Sequence, residues 1–368
     1  MSDSVEIRFL PAAVTTRVPA GTTLFTAAHW IGLPIDSTCG GLGTCGKCRV
    51  KTDQDSAPIS AVEGECLTVE ELEQGWRLAC LQPVTQDSVC TVPSVMEQPV
   101  TATSGVGRDV VVEPSVHKVP LEIDRPVDGD TRSDLDRVRA ALHETGFALS
   151  LGLDTLATLP SLLRSSGFEV TACLVDGELV TFEPGDTSQR LFGVAFDVGT
   201  TTVVGSLIDL GSGEVRAVES ALNRQAVFGG DVISRIAYTL PGPAQREAMR
   251  LAAVETLNQI LDQLMKRTGV ERSDIYQAVV VGNSTMLHLL LGVEARSISV
   301  APFVPVFRDG PRGGAEEIGV GMHPRGVVST LRGIGGSAGG GRVAGLHATG
   351  LARRDEVGVF CDIGTSCE

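Results

Sequence analysis

Aromatic side chains make up only 4% of this 368-residue chain, with two Trp, two Tyr and 11 Phe. A surface that stacks nucleobases or cages a quaternary cation needs more of them. Basic residues are also scarce: 30 Lys and Arg stand against 45 Asp and Glu, a net charge of −15. Such a chain repels phosphate backbones, so no nucleic-acid partner is expected. No stretch of 18 apolar residues occurs, so no membrane span is expected. MSDSVEIRFLP lacks the charged-then-apolar pattern of a secretory signal. No G-x4-G-K-[ST] string is present, which excludes a P-loop as phosphate site. The six His are dispersed and form no metal pair, and no repeat with a period of about 20–50 residues is visible.

What the chain does have is a cysteine pattern. Cys39, Cys45 and Cys48 lie in CGGLGTCGKC and Cys80 follows in WRLACLQPV, a spacing of C-x5-C-x2-C-x31-C. Plant-type [2Fe–2S] proteins use C-x4-C-x2-C with a distant fourth cysteine. A cluster loop also needs backbone N–H groups close to its sulfurs, and Gly40, Gly41, Gly43 and Gly46 permit that approach. Structural zinc is the alternative, but it favours two paired C-x2-4-C knuckles, and only Cys45 and Cys48 make such a pair. Cys66 and Cys90 are read as small buried hydrophobes without a role. The flanking pattern fits a β-grasp ferredoxin: a strand through VEIRFLP, a second ending near Val18, and a helix capped by Thr22 or Thr23. The cluster loop, the strand CRVKT, a helix near TVEELEQG and a last strand SVCTVP follow. Reduced thiolates of this kind suit a cytoplasmic location.

Length and texture then divide the chain. Residues 1–95 form the [2Fe–2S] ferredoxin domain and residues 96–116 a linker of small, polar and β-branched residues. Residues 117–190 form a small α/β middle domain. It holds a strand KVPLEI, a helix from the cap Ser133 to the stop Gly146, a helix DTLATLPSLLRSSG, and a hairpin turning at Asp176-Gly177. Residues 191–368 begin with a strand–turn–strand and hold a long amphipathic helix. There Met249, Ala253, Leu257, Ile260, Leu261 and Leu264 recur at core-facing spacing.

DVGTTT, Asp197–Thr202, is the second informative site. A hairpin tip can present successive N–H groups to phosphate oxygens, with Gly199 allowing the turn. Thr200, Thr201 and Thr202 add hydroxyls, and Asp197 can hold Mg²⁺ through water. An ordinary tight turn between buried strands is the competing reading. FCDIGTS, Phe360–Ser366, repeats the pattern with Asp362, Gly364 and Thr365. Asn283 and Ser284 are read as a helix cap or as donors near a nucleotide. Asp231 is read as a cap or as a water- or metal-positioning carboxylate. His288 is read as a satisfied core histidine.

Two such hairpins resemble the paired phosphate loops of actin, sugar-kinase and Hsp70-type ATPases. In order along the chain, the cysteine loop, NRQAVFGGDVISRI (Asn223–Ile236), VVVGNSTMLHLLLG (Val279–Gly292) and DIGTS resemble the reductive activators of corrinoid proteins. The resemblance covers the whole chain but only the front part of the family's length. It implies an α+β multidomain protein: ferredoxin, small α/β domain and an incomplete actin-like (ribonuclease H-like) ATPase domain, truncated at the C-terminus. It implies ATP-dependent one-electron transfer through a [2Fe–2S] cluster, with ATP and Mg²⁺ at the hairpins. The target is a Co(II) corrinoid protein of a methyltransferase system, and the electron donor is unidentified. The alternative is a ferredoxin-type carrier with an inert ATPase half. Where the family carries an acidic residue before a VAG helix, this chain has Gly341-Arg342 within a glycine run expected to weaken the helix start.

Overall fold

The computed structural model describes residues 4–33, 35, 37, 41, 43–54, 58–93, 112–145, 147, 151–333, 339–351 and 357–361. Cys39, Gly40, Gly146, Asp362, Gly364, Thr365 and most of the 96–116 linker lie outside these residues.

The first domain wraps a mixed sheet around one helix. Its elements are β1 (Ser4–Leu10), β2 (Val14–Pro19), α1 (Leu24–Trp30), β3 (Arg49–Thr52), α2 (Ala61–Cys66), α3 (Val69–Glu73), β4 (Trp76–Leu78) and β5 (Ser88–Thr91). The strand order is β2-β1-β5-β3-β4, with β1 and β5 parallel. In β1 the period of two buries Val5, Ile7 and Phe9 and turns Arg8 outward. Thr23 caps α1 by accepting from the Thr26 N–H, and Leu24, Ala27 and Ala28 fill the space against the sheet. Helix α2 was not read from the sequence, although Ser60 and Glu63 make its capping box.

The second domain is the antiparallel sheet β6 (Val116–Glu122), β7 (Glu169–Val175), β8 (Glu178–Pro184) under α4 (Asp134–Glu144) and α5 (Leu153–Ser165). Ser133 caps α4 in a box with Asp136, and Asp176 (φ 52°) and Gly177 (φ 80°) form the β7–β8 turn, as the sequence predicts.

The third domain holds β9 (Phe192–Val198), β10 (Thr202–Asp209), β11 (Val215–Leu222), α6 (Val232–Thr239), α7 (Pro243–Thr268), β12 (Ile275–Gly282), α8 (Ser284–Leu290), α9 (Arg296–Ser299), β13 (Arg312–Gly314), α10 (Ala315–Ile318), β14 (Val327–Thr330) and α11 (Gly340–Thr349). Its sheet runs β11-β10-β9-β12-β14-β13: an antiparallel meander β9-β10-β11 joined to the parallel strands β12 and β14. Helix α7 lays the predicted apolar face on this sheet. A Cβ at Gly205 of β10 would stand 2.5 Å from Ile260 Cγ2, so only glycine lets the helix come this close.

The glycine run before α11 does not prevent the helix. A Cβ at Gly339 would lie 2.1 Å from the Gly282 carbonyl oxygen, and one at Gly340 2.9 Å from that of Leu331. Close approach of the helix start to the end of β12 outweighs the propensity cost of about 1 kcal/mol per glycine.

The second and third domains share a buried network. Lys118 Nζ sits 2.8 Å from Glu183 Oε2, Tyr276 donates its hydroxyl to Glu183 Oε1 at 2.5 Å, and Val116, Cys173, Val175, Leu191 and Tyr276 form one apolar cluster. The first and third domains meet where Gly230 N–H donates to the Ser37 carbonyl at 3.0 Å and His29 Nδ1–H to the Val227 carbonyl at 2.9 Å.

Candidate functional site

The cysteine loop closes onto the core of the first domain. Cys48 leads into β3, and Cys80 rides on a 3₁₀ turn, Ala79–Leu81. Both are buried and their sulfurs lie 3.2 Å apart. Cys45 is half-buried, and among the described residues no three ligating side chains gather as a metal site. The structure therefore unites Cys48 and Cys80, places Cys45 in the same loop, and leaves Cys39 outside the described residues.

The loop backbone fits a cluster. Gly41 (φ 92°), Gly43 (φ 75°) and Gly46 (φ 66°) are all left-handed. A Cβ at Gly46 would stand 2.5 Å from Cys66 Sγ, and one at Gly41 2.8 Å from Phe25. Two buried thiols, one at the end of a glycine-rich loop and one on the neighbouring 3₁₀ turn, suit thiolate ligation with backbone N–H groups near the sulfurs. Cys66 has a packing role, since its sulfur fills the space that Gly46 leaves. Burial pushes the Cys90 thiol up to about 12, which keeps it protonated and unreactive.

Two supports were missed in the sequence. Arg49 binds the loop to α2 and α3: Nε donates to the Gly46 carbonyl at 3.3 Å, Nη2 to that of Cys66 at 2.8 Å, and Nη1 pairs with Glu71 at 2.6 Å. Glu63 is fully buried, with Oε1 accepting from Leu78 N–H at 3.2 Å and from Gln82 Nε2 at 3.0 Å. Those two contacts bracket Cys80. The string S-x-x-E at Ser60–Glu63 was the available signal.

The Asp197–Thr202 hairpin sits at the C-terminal end of β9, beside the C-terminal end of β12, where open α/β sheets place ligands. Three of its carbonyls are held by Asn223 and Arg235. Gly199 O accepts from Asn223 Nδ2 at 2.8 Å, Thr200 O from Arg235 Nη2 at 2.6 Å, and Thr201 O from Asn223 N–H at 2.8 Å. In a trans peptide the carbonyl and the following N–H point oppositely. The N–H groups of Thr200 and Thr201 therefore face away from Arg235 and the Asn223 side chain, as a phosphate-holding turn requires, while Thr202 turns toward β9, its carbonyl accepting from Gly199 N–H at 3.1 Å. Thr202 Oγ1 is buried without a hydrogen-bond partner among the described residues, while Asp197 is exposed at the end of β9.

Arg235 adds charge. It is fully buried, donates Nε–H to the Gly229 carbonyl at 2.9 Å, and lies 3.3 Å from Met286 Sδ. Burial lowers its guanidinium to about 10, so it stays cationic at neutral pH. Among the described residues no carboxylate stands at ion-pair distance from it. The Asp231 carboxylate offsets part of that burial from beyond contact distance, and a buried cation touching the hairpin backbone suits an anion in front of that hairpin.

The remaining candidates resolve into caps and core. Asp231 caps α6, accepting from Ile233 and Ser234 N–H at 2.8 and 2.9 Å. Asn283 caps α8 by accepting from Met286 N–H at 2.9 Å, and its Nδ2 also reaches Thr200 Oγ1 of the hairpin at 3.5 Å. His288 is fully buried, stacked on Phe307. Its Nε2 accepts from Val306 N–H at 3.0 Å and its Nδ1 faces the Ser284 carbonyl at 2.7 Å, which assigns the proton to Nδ1.

Comparison with known proteins adds to this geometry. The model of the 2Fe-2S iron-sulfur cluster binding domain matches residues 8–85, that of the RACo linker region residues 105–189, and that of the RACo middle region residues 192–354. The corrinoid activation enzyme RamQ of Eubacterium limosum is 31% identical over 345 residues, 92% of this chain and 54% of its own length. A solved reductive activator for corrinoid,iron-sulfur protein superposes with a TM-score of 0.65 at 34% identity, over 98% of this chain and 60% of that one. One component of the Na(+)-translocating NADH-quinone reductase of Chlamydia caviae is 36% identical over 75 residues, 20% of this chain and 17% of its own length. The chain thus spans about half the length of the curated activator it matches.

An iron–sulfur cluster binding domain ahead of these two regions defines a multidomain α+β iron–sulfur protein. The chain belongs to the family of reductive activators of corrinoid proteins.

Proposed function

We propose that this chain accepts one electron at a [2Fe–2S] cluster and passes it, with ATP bound, to an inactive Co(II) corrinoid protein of a methyltransferase system. Cys39, Cys45, Cys48 and Cys80 are the proposed cluster ligands. The cluster, when bound, supplies one-electron storage at a potential set by its surroundings. Asp197, Gly199, Thr200, Thr201 and Thr202 are the proposed phosphate and Mg²⁺ residues, together with Asp362, Gly364 and Thr365. The proposed division is 1–95, a 96–116 linker, 117–190 and 191–368, the last being an actin-like ATPase unit. The β9-β10-β11 meander joined to parallel β12 and β14 supports that unit. A cytoplasmic setting and a separate, chemically reducing donor complete the reading.

The observation that carries the ATP-coupled part is the set of hairpin carbonyls held by Asn223 and Arg235, which turns the Thr200 and Thr201 N–H groups outward. Asn223, Arg235 and Asn283 orient the turn, and the exposed Asp197 carboxylate is placed to hold Mg²⁺ through water.

The test is anaerobic reconstitution, followed by reduction of the partner's Co(II) watched by visible absorbance. Reduction faster with MgATP, and slowed in Asp197→Ala, is expected. Equal rates without ATP would leave a ferredoxin-type carrier. Failure to develop a rhombic EPR signal on reduction would overturn the cluster assignment.

A further inference from the structure

One short segment touches both candidate centres. It runs from Asn223 through the 3₁₀ turn Arg224–Phe228 to Arg235 in the first turns of α6. Toward the hairpin it holds the carbonyls of Gly199, Thr200 and Thr201. Toward the first domain, the Val227 carbonyl accepts from His29 and the Phe228 ring packs edge-on to His29 at 5.3 Å. Gly230 N–H holds the Ser37 carbonyl, and Ser37 Oγ accepts from Gly41 N–H of the cysteine loop at 3.2 Å.

Arg235 sits where the two sets of contacts join. One guanidinium nitrogen binds Thr200 O, and another binds Gly229 O, next in chain to the N–H that holds Ser37. Gly229 has to be glycine, because a Cβ there would stand 2.4 Å from Ser234 Oγ. The segment also lines a cleft of about 1100 Å³ between the first and third domains, bordered by Trp30, Thr201, Phe228 and Arg235.

We propose that Arg235 is a positioning residue that makes the seating of the cysteine loop depend on what occupies the Asp197–Thr202 hairpin. This rests on the reading of that hairpin as a phosphate site. An anion on the Thr200 and Thr201 N–H groups polarises the same peptides and makes their carbonyls stronger acceptors. Arg235 is then drawn to Thr200 and carries the Gly229–Gly230 backbone, and with it Ser37. By linkage, nucleotide affinity and cluster potential change together.

The test uses the full chain with its cluster reconstituted anaerobically, dithionite as reductant and MgATP as probe. Calorimetry reads ATP binding, and an EPR-monitored titration reads the cluster potential with and without MgATP. The expected result is a lower potential with MgATP, matching about tenfold weaker ATP binding to the reduced protein, or about 59 mV for a one-electron couple. Arg235→Met removes the charge and the fork but keeps an apolar stem. It should bind ATP more weakly and, at saturating MgATP, lose the shift, while Arg235→Lys restores at most part of both. His29→Ala loosens the other anchor without touching the hairpin, should also diminish the shift, and decides the matter if Arg235→Met does not fold or bind. A shift surviving in both Arg235→Met and His29→Ala acts through space and overturns the relay. ATP binding to the unaltered chain without a shift overturns the relay alone. No ATP binding to the unaltered chain overturns the hairpin reading and the relay with it.

Discussion

The carboxylate of Glu63 accepts a hydrogen bond from the side chain of Gln82 at 3.0 Å inside the first domain, and Cys80 lies between this contact and the one Glu63 makes with Leu78 N–H. Its other oxygen accepts from Ser60 N–H at 3.0 Å. Glu63→Gln turns an amide donor toward groups that are themselves donors. The expected cost is about 1–3 kcal/mol, with faster loss of the cluster. Thermal unfolding and the decay of visible circular dichroism check this; unchanged cluster retention would deny Glu63 its hold on Cys80.

Gly46→Ala strains a left-handed residue by about 1–2 kcal/mol and also drives a Cβ toward Cys66 Sγ. Poor cluster incorporation is expected, read from iron and sulfide per chain. The pair Gly46→Ala with Cys66→Gly removes the contacts with both Sγ (2.5 Å) and Cβ (2.7 Å) of residue 66 but not the strain, so it should recover part of the loading. Cys66→Ser alone should keep the cluster, whereas Cys48→Ser and Cys80→Ser should lose it.

The buried hydroxyl of Thr202 has no partner among the described residues. Thr202→Val keeps its shape and removes the orphan. The chain without nucleotide should gain up to about 1 kcal/mol in urea unfolding. If the hydroxyl serves a phosphate, ATP affinity falls at the same time. A gain in stability with undiminished ATP affinity would make the hydroxyl purely a packing group.

Burial lowers His323 from 6.5 to about 4. It stacks on Tyr276 at 4.3 Å, and its Nδ1 accepts from Arg325 N–H at 3.1 Å, a bond that protonation breaks. The folded form resists the proton that the unfolded chain takes up. Stability is therefore full above about 6.5 and falls as pH drops from there toward 4. The difference in urea midpoint between the unaltered chain and His323→Gln should narrow across that window; parallel curves would refute the assignment.

The cysteine spacing, the caps at Thr23, Ser133, Asp231 and Asn283, and the turn at Asp176-Gly177 were legible because each depends on a few adjacent residues. The order of the motifs led to the family for the same reason. Helix α2 was missed because six residues carry too little periodicity, even with a capping box. The glycine run before α11 read as a weakness because propensity describes an isolated helix. Its packing against Gly282 and Leu331 is a long-range fact.

By itself the sequence determined the chemistry available here: thiolates at cluster spacing, a glycine–threonine turn after a buried strand, and an acidic surface. Tertiary structure alone decided that Arg235 is buried behind Thr200, that Glu63 brackets Cys80, and that Gly230 meets Ser37. Local strings reveal backbone preference and side-chain type. Burial and counter-ion supply depend on which distant segments fold together, and no spacing along the chain encodes those directly.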